Sequence, residues 1–313
     1  MSITAFKGPL IVPLNDAAVA AGAAAQTYNP DAGPSLFGSG FALLDPRWGY
    51  RGGGGQAGFG NNAYLGLGWM ACGDVELINA TPSAIAANNM AASQAPTAGV
   101  ALTLVAATGA GITVLPAATL LYPALNTAPA NALAVDGAPG LVAFGQSGAV
   151  ALYDPTKALA RNVRITSAGN DSAATFTVAG YDLYGYAQTE AITGANTGIA
   201  SGKKAFKIIT SITPSGTLSG SNVQAGTGDV YGLPLRADDW GHVTVVWNNA
   251  FITANTGFVV ADTTSPATTT TGDVRGTYAV QSASDGTKTM QVYVTPKVGN
   301  IGSALGLTGV APV

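Results

Sequence analysis

The sequence predicts an all-β protein: two small antiparallel domains of sandwich or jelly-roll-like type, preceded by an extended N-terminal arm. Three observations carry this expectation. First, apolar residues recur with a period of two. Val163 and Ile165 fall on one side of a strand and Asn162, Arg164 and Thr166 on the other; Phe176 and Val178 alternate with Thr175 and Thr177; Phe206 and Ile208 stand among lysines. This period, carried by β-branched and aromatic residues, is that of half-buried strands. Second, turn chemistry separates these runs, as in Ser-Ala-Gly-Asn-Asp at 167–171 and Gly-Tyr-Asp-Leu-Tyr-Gly at 180–185. Third, hydrophobic residues make up 47% of the chain and charged residues 9%, the reverse of the low-hydrophobicity, high-charge pattern of disorder.

The 313 residues suffice for two domains and an arm. A surface so poor in charge must be covered by Thr, Ser, Asn, Gly and Ala, which suits a protein that buries much of its exterior against neighbours. The formal net charge is −3, from 13 basic and 16 acidic residues. No basic excess is present to neutralise phosphates, so nucleic acid is not an expected partner. Cys72 stands alone, which rules out an intrachain disulfide and a cysteine-held zinc, and reads as a small buried apolar residue. The opening Met-Ser-Ile-Thr-Ala-Phe-Lys lacks the basic start and apolar core of a signal peptide, so none is expected. From Leu77 to Val135 no residue is charged, but Pro82, Pro96, Pro116, Pro123 and Pro129 break the segment; no transmembrane span is expected there.

Residues 1–75 show little periodicity and are punctuated by Pro9, Pro13, Pro30, Pro34, Pro46 and the glycine run 52–55. Residues 16–25 fit a short helix capped by Asn15. The rest reads as an arm with candidate interface anchors in Phe6, Tyr28, Phe37, Phe41, Trp48, Tyr50, Phe59, Tyr64 and Trp69, expected to be ordered by contacts between subunits. The first β-domain is expected over 76–155, with strands at 75–78, 100–105, 112–115, 133–135, 141–144 and 150–153. The second is expected over 156–297, with further strands at 190–193, around Val223, and at 230–233, 242–247, 257–261, 277–280 and 290–295. Asp285-Gly286 signals a hairpin between the last two, and the Thr-rich tract 263–271 an exposed loop. Residues 298–313 form an uncharged tail.

No stretch of this pattern carries the residue spacing of a known catalytic or binding motif. Gly55-Gln-Ala-Gly-Phe-Gly60 lacks the strand and helix that would aim backbone amides at a phosphate. Ser201-Gly-Lys-Lys204 lacks the upstream glycine of a phosphate-binding loop and reads as a loop with solvated lysines. The single histidine, His242, opens an alternating strand, and no Gly-x-Ser-x-Gly elbow accompanies it. Asp238 and Asp239 are adjacent and suit a turn better than a carboxylate pair. Asp229, Asp238, Asp239 and Asp262 lack an Asp-x-Asp-x-Asp-Gly frame for calcium. Tyr181, Tyr184, Tyr186 and Trp240 fit core or interface anchors better than a sugar platform. No catalytic residue, cofactor or metal ligand is expected, and the protein is read as not an enzyme.

Several stretches resemble virion structural proteins of tailed bacteriophages: residues 161–172, Glu190-Ala-Ile-Thr-Gly194, Lys204-Ala-Phe206, Gly226-Thr-Gly-Asp-Val-Tyr-Gly-Leu-Pro234 and Gly272-Asp-Val-Arg-Gly-Thr-Tyr278. The resemblance covers about 156–297, and more loosely Phe6-Lys-Gly-Pro, Tyr28-Asn-Pro-Asp and Leu44-Asp-Pro-Arg of the arm. It implies a β-rich subunit present in many copies, made in the host cytoplasm and placed in the virion, on the head surface or in the tail, the head surface being the favoured expectation. The expected role is a capsid decoration (cement) subunit, a homo-oligomer with a trimer as the first expectation, partnered by the major capsid protein or other virion proteins. A tail or head-fibre component is the alternative within this class. A carbohydrate-binding or carbohydrate-cleaving receptor spike is the alternative from another class, and lacks the β-helix repeat such a spike usually shows.

Overall fold

The computed structural model describes residues 75–121, 126–136, 140–143, 149–152, 158–234, 240–252 and 256–296. The arm with its nine aromatic anchors, the helix expected at 16–25, Gly55–Gly60, Cys72, Asp238, Asp239 and the tail lie outside the described residues. Among those described, every regular element is a strand. In chain order they are β1 (Val75–Ala80), β2 (Ala91–Gln94), β3 (Ile112–Val114), β4 (Leu120–Leu121), β5 (Asn126–Thr127), β6 (Leu133–Val135), β7 (Gly140–Ala143), β8 (Ala149–Leu152), β9 (Arg161–Asn170) and β10 (Ala174–Tyr181). There follow β11 (Ala187–Thr193), β12 (Asn196–Ser201), β13 (Ile208–Gly216), β14 (Val223–Gly232), β15 (Trp240–Trp247), β16 (Ala250–Ile252), β17 (Phe258–Val259), β18 (Thr277–Ala279) and β19 (Met290–Pro296). The all-β class is therefore that of the protein. No helix among the described residues is long and apolar enough to cross a membrane.

The described residues fall into two compact units, one holding 75–78, 240–245 and 291–296, the other holding those of 79–234 and 246–290. The smaller unit is made of stretches of β1, β15 and β19, from a sheet ordered β1–β19–β15–β16. On β19, Met290 and Val292 are fully buried, as the alternation requires. Trp247 and Ala250 flank a two-residue loop whose Asn248 and Asn249 both have positive φ, 51° and 64°. That is the geometry of a type I′ hairpin, which asparagine tolerates.

The larger unit contains two antiparallel sheets facing one another across a common core. One is ordered β11–β10–β13–β6–β3; the other is ordered β12–β9–β14–β18–β17, with β2 also paired to β14. Phe176, Val178 and Ile192 from the first and Val163, Ile165, Val223 and Ala225 from the second meet in this core, each at most 5% exposed. On the outer side of the first sheet, Ala134 and Ile208 pack with Leu115, Leu121 and Ala128. Its central strand β13 is thus covered on both faces. A fourth sheet, β5–β4–β8–β7, contains the one parallel pair among the described strand pairings, β4 with β8.

Strand pairing runs across the domain boundary expected at 155/156. β6 pairs with β13 and β2 with β14, so residues 91–135 and 174–232 contribute to the same sheets and the same core. Spacing of short strands counts them but does not choose their partners. The run 100–105 forms no strand: Leu102 N–H donates to Ile212 O, and Val105 N–H to Met90 O. Its amides are shared between two sheets, so no ladder develops. Asp285 forms its turn, accepting from Thr287 N and Lys288 N, but β18 and β19 belong to different sheets and make no hairpin. The intervening chain turns aside to Asp229, whose carboxylate takes Ser284 N and Ser284 Oγ.

Candidate functional site

The chain carries 29 charged side chains, 13 basic and 16 acidic. At least eight of them are buried: Asp136, Arg161, Asp171, Asp182, Glu190, Lys204, Lys207 and Arg275. Seven of these eight gather around the crossing from β12 to β13, residues 202–207, and this crossing is the candidate site.

Arg161 opens β9 and has the same strand parity as Val163 and Ile165, so its side chain enters the interior. All of its hydrogen-bonding nitrogens are used. Nε donates to Gly228 O at 2.7 Å; Nη1 to Ser83 O at 2.8 Å and Asp136 Oδ2 at 3.3 Å; Nη2 to Asp229 Oδ1 at 2.9 Å and Ser284 Oγ at 3.0 Å. Its guanidinium lies 5.1 Å from the Tyr231 ring centroid, within cation–π range. Tyr231 Oη donates to Asp229 Oδ1 at 2.9 Å, and burial holds its phenol well above the ordinary value. Asp136 also accepts from Ser83 N at 2.8 Å. Four chain segments distant in sequence are thereby joined on one guanidinium, whose planar fork permits this number of bonds where an ammonium would not.

The crossing itself is tied at every step. Gly202 N–H donates to Val163 O, and Gly202 O accepts from Asn162 Nδ2 at 2.9 Å. Lys203 N and Lys204 N both donate to the Glu190 carboxylate. Ala205 N donates to Asp273 Oδ2 at 3.1 Å, and Ala205 O accepts from Gln188 Nε2 at 2.6 Å. Phe206 and Arg161 exchange backbone bonds in both directions. Lys204 Nζ donates to Thr268 O at 2.8 Å, and Lys207 Nζ to Val135 O, Asp136 O and Leu159 O at 2.5, 3.0 and 3.2 Å.

The expectation of solvated lysines in this stretch is therefore corrected. Lys203 is exposed, but Lys204 and Lys207 are 1% and 0% exposed. The segments packed over the crossing carry carbonyls that need donors, at Thr268 and at Val135, Asp136 and Leu159, and the ammonium groups of Lys204 and Lys207 supply them. Burial pushes the Lys207 ammonium down to about 7, outweighing the Asp136 charge that acts the other way. Burial likewise lowers Lys204, against Glu190, Asp273 and Asp262, and raises Glu190, against the two amides it accepts. Burial raises Asp273 as well, opposed by the amide and charge of Arg275 and by the Ala205 amide.

A second pair completes the cluster. Arg275 Nη1 meets Asp182 Oδ2 at 2.6 Å, with both side chains 4% exposed. The guanidinium sits 4.7 Å from the Tyr184 ring centroid. Asp182 Oδ1 accepts from Tyr184 N and Tyr186 N, and Tyr184 Oη donates to Pro234 O. Tyr184 is thus a buried strut and is not available to a sugar ring; the Trp240 side chain lies outside the described residues. Asp229 and Asp262, weighed above as calcium ligands, are engaged otherwise: Asp229 with Arg161, and Asp262 with Thr264 N and Gly272 N of the Thr-rich loop. That loop is mostly exposed, as expected, with Ala267 buried, and Thr269 O accepts from Ala191 N at the edge of β11. Among the described residues no group of three His, Cys, Asp or Glu side chains is placed to hold a metal ion.

An open groove of about 430 Å³ lies beside this crossing, lined by residues 190–193, the end of β12, Lys203, Thr269 and Thr270. Glu190 is its one carboxylate, and both of its oxygens already accept backbone amides. The arrangement braces a crossing; it holds no second carboxylate to pair with Glu190 for acid–base work.

The fold and site define an all-β protein whose interior is cross-tied by ions. Comparison with known proteins adds no relative: no family model, no curated protein and no solved structure matches the chain.

Proposed function

We propose that the protein is a non-enzymatic structural subunit of a virion, a decoration subunit that reinforces the phage head by packing against its neighbours. The observation that supports this most is where the charges lie. A chain with 9% charged residues places at least four acids and four bases in its interior, which leaves the surface of the described residues poorer in charge than their composition suggests. Faces of this kind pack against other subunits without stranding unpaired ions. Large apolar side chains also remain outside, Val100, Ile199, Phe251, Val259 and Val260 among the described residues, each at least 50% exposed, and add surface of the sort that an interface covers. The tied crossing suits a body under mechanical load: Arg161, Lys204, Lys207 and Arg275 each join segments far apart in the chain.

In this reading the subunit acts as a homo-oligomer on the head surface, with the major capsid protein as its partner. The test is a particle that lacks the protein. Such heads should assemble yet lose DNA or disrupt at lower temperature than complete heads. Heads that withstand heat and chelator equally well, with the protein found on the tail, would reject the decoration role in favour of a tail component.

A further inference from the structure

The sandwich has two sheet edges on the side of the short β11–β12 connection, and the chain treats them differently. The β11 edge is met by the Thr-rich loop through the Ala191 N–H to Thr269 O bond. Among the described residues β12 is the terminal strand of its sheet and pairs with β9 alone. Gly202 N–H donates to Val163 O, and the register continues through Ala200 opposite Ile165 and Gly198 opposite Ser167. By antiparallel alternation the N–H and C=O groups of Ile199 and Ser201 therefore point away from β9. The strand carries no charge and no proline, the usual protections of an edge. Its N-terminal end carries a bulge at Thr197 and Gly198, with φ of 58° and 117°, which leaves Ile199–Ser201 as the regular part of the edge. Ile199 is 50% exposed on the outer face, while Ala200 packs inward against the core.

We infer that β12 pairs antiparallel with β12 of a second copy, about a two-fold axis through Ile199. The occupant is argued from the strand itself. Reversed on Ile199, the sequence matches its own chemistry: Ile199 meets Ile199, Gly198 meets Ala200, and Thr197 meets Ser201. Small residues face small ones, hydroxyl faces hydroxyl, and the exposed isoleucine is covered by its twin. No charge is brought against a like charge. An isologous two-fold contact of this kind requires just such a self-complementary strand. The outward N–H and C=O of Ile199 then bond to those of its twin. A six-residue edge buries well under the roughly 1,000 Å² of a stable free-standing complex, so the contact is weak between isolated subunits and acts where copies are already concentrated. It joins copies in pairs, and so links neighbouring oligomers rather than closing a ring.

The contact is tested on the full chain alone, independently of any virion role. A hydrogen-bonded antiparallel pair sets the two Cα atoms about 5.5 Å apart, within disulfide range. Ile199→Cys, in a Cys72→Ser background, should therefore form a disulfide-linked dimer on mild oxidation. Its rate should exceed that of Val260→Cys, an exposed control away from β12, by at least about tenfold through the higher effective concentration. Sedimentation of the wild type at high protein concentration should detect a weak dimer, and Ile199→Lys, at an exposed position that does not threaten folding, should abolish it. Equal cross-linking at 199 and 260, or a dimer fraction unchanged by Ile199→Lys, would overturn the inference.

Discussion

Asp136 and Arg161 stand 25 residues apart in the chain and meet at 3.3 Å, with side chains 4% and 0% exposed. Arg161 also holds Asp229, Ser83, Ser284 and Gly228, so its removal strands two carboxylates and two backbone carbonyls. We expect Arg161→Met to cost about 3–5 kcal/mol, the range for breaking a buried ion pair by deleting one partner. Arg161→Lys should recover only part of this, because an ammonium has three donors and no planar fork. Urea or guanidinium unfolding measures both; a loss under about 1 kcal/mol for the methionine variant would show that the cluster is not a brace.

Lys207 gives the stability a pH dependence whose sign is fixed by its burial. Its folded value is pushed down to about 7 from the ordinary 10.5. Below about pH 7 both states hold the proton, and the cost of burying the charge is present in full. Between there and 10.5 the unfolded chain binds more protons than the native one, so stability rises with pH. We expect this rise in the wild type and a flatter profile in Lys207→Met, measured by denaturant unfolding from pH 6 to 10. A wild-type profile that falls through that window with no difference from the variant would contradict it.

Glu190 should tolerate loss of charge better than loss of its oxygens. Burial raises its carboxyl, so the ionised form is the costly one in the native state. Glu190→Gln keeps an acceptor for one of the Lys203 and Lys204 amides, its NH2 replacing the oxygen that takes the other, and should cost less than Glu190→Ala, which leaves both donors unmet and should cost about 1–3 kcal/mol. Equal losses would show that the amides have other acceptors.

Gly180 tests the packing of β10 on β13. A register shift falls between Ala179 and Gly180, and a Cβ at 180 would overlap the carbonyl oxygen of Ile208. Backbone cannot move aside as a side-chain tip can. Gly180→Ala should cost about 1–3 kcal/mol by overpacking. Gly109→Ala, where a Cβ meets nothing within 4 Å, should stay within about 0.5 kcal/mol of wild type. Thermal unfolding of the two variants side by side decides this.

The sequence by itself determined the strands of the sandwich core. Val163, Ile165, Phe176 and Val178 could be placed on the inward face because side chains alternate along any strand, whatever it pairs with. The same parity, applied to Arg161 and Glu190, places them inward with Val163 and Ile192; treating charge as a mark of the surface hid that signal. The Asn248-Asn249 turn after the strand expected at 242–247 was not marked, although few residues other than glycine and asparagine accept positive φ twice in succession. Only the tertiary structure decided which strands share a sheet. β6 with β13, and β2 with β14, are joined by long-range hydrogen bonds that leave no local trace in composition or spacing. Nor could local pattern reveal that β13 is covered on both faces, which is why Lys207, between Phe206 and Ile208, lies in the interior. The ion clusters have the same origin: burial and partners are properties of the folded neighbourhood, and a lone lysine or aspartate in the sequence carries neither.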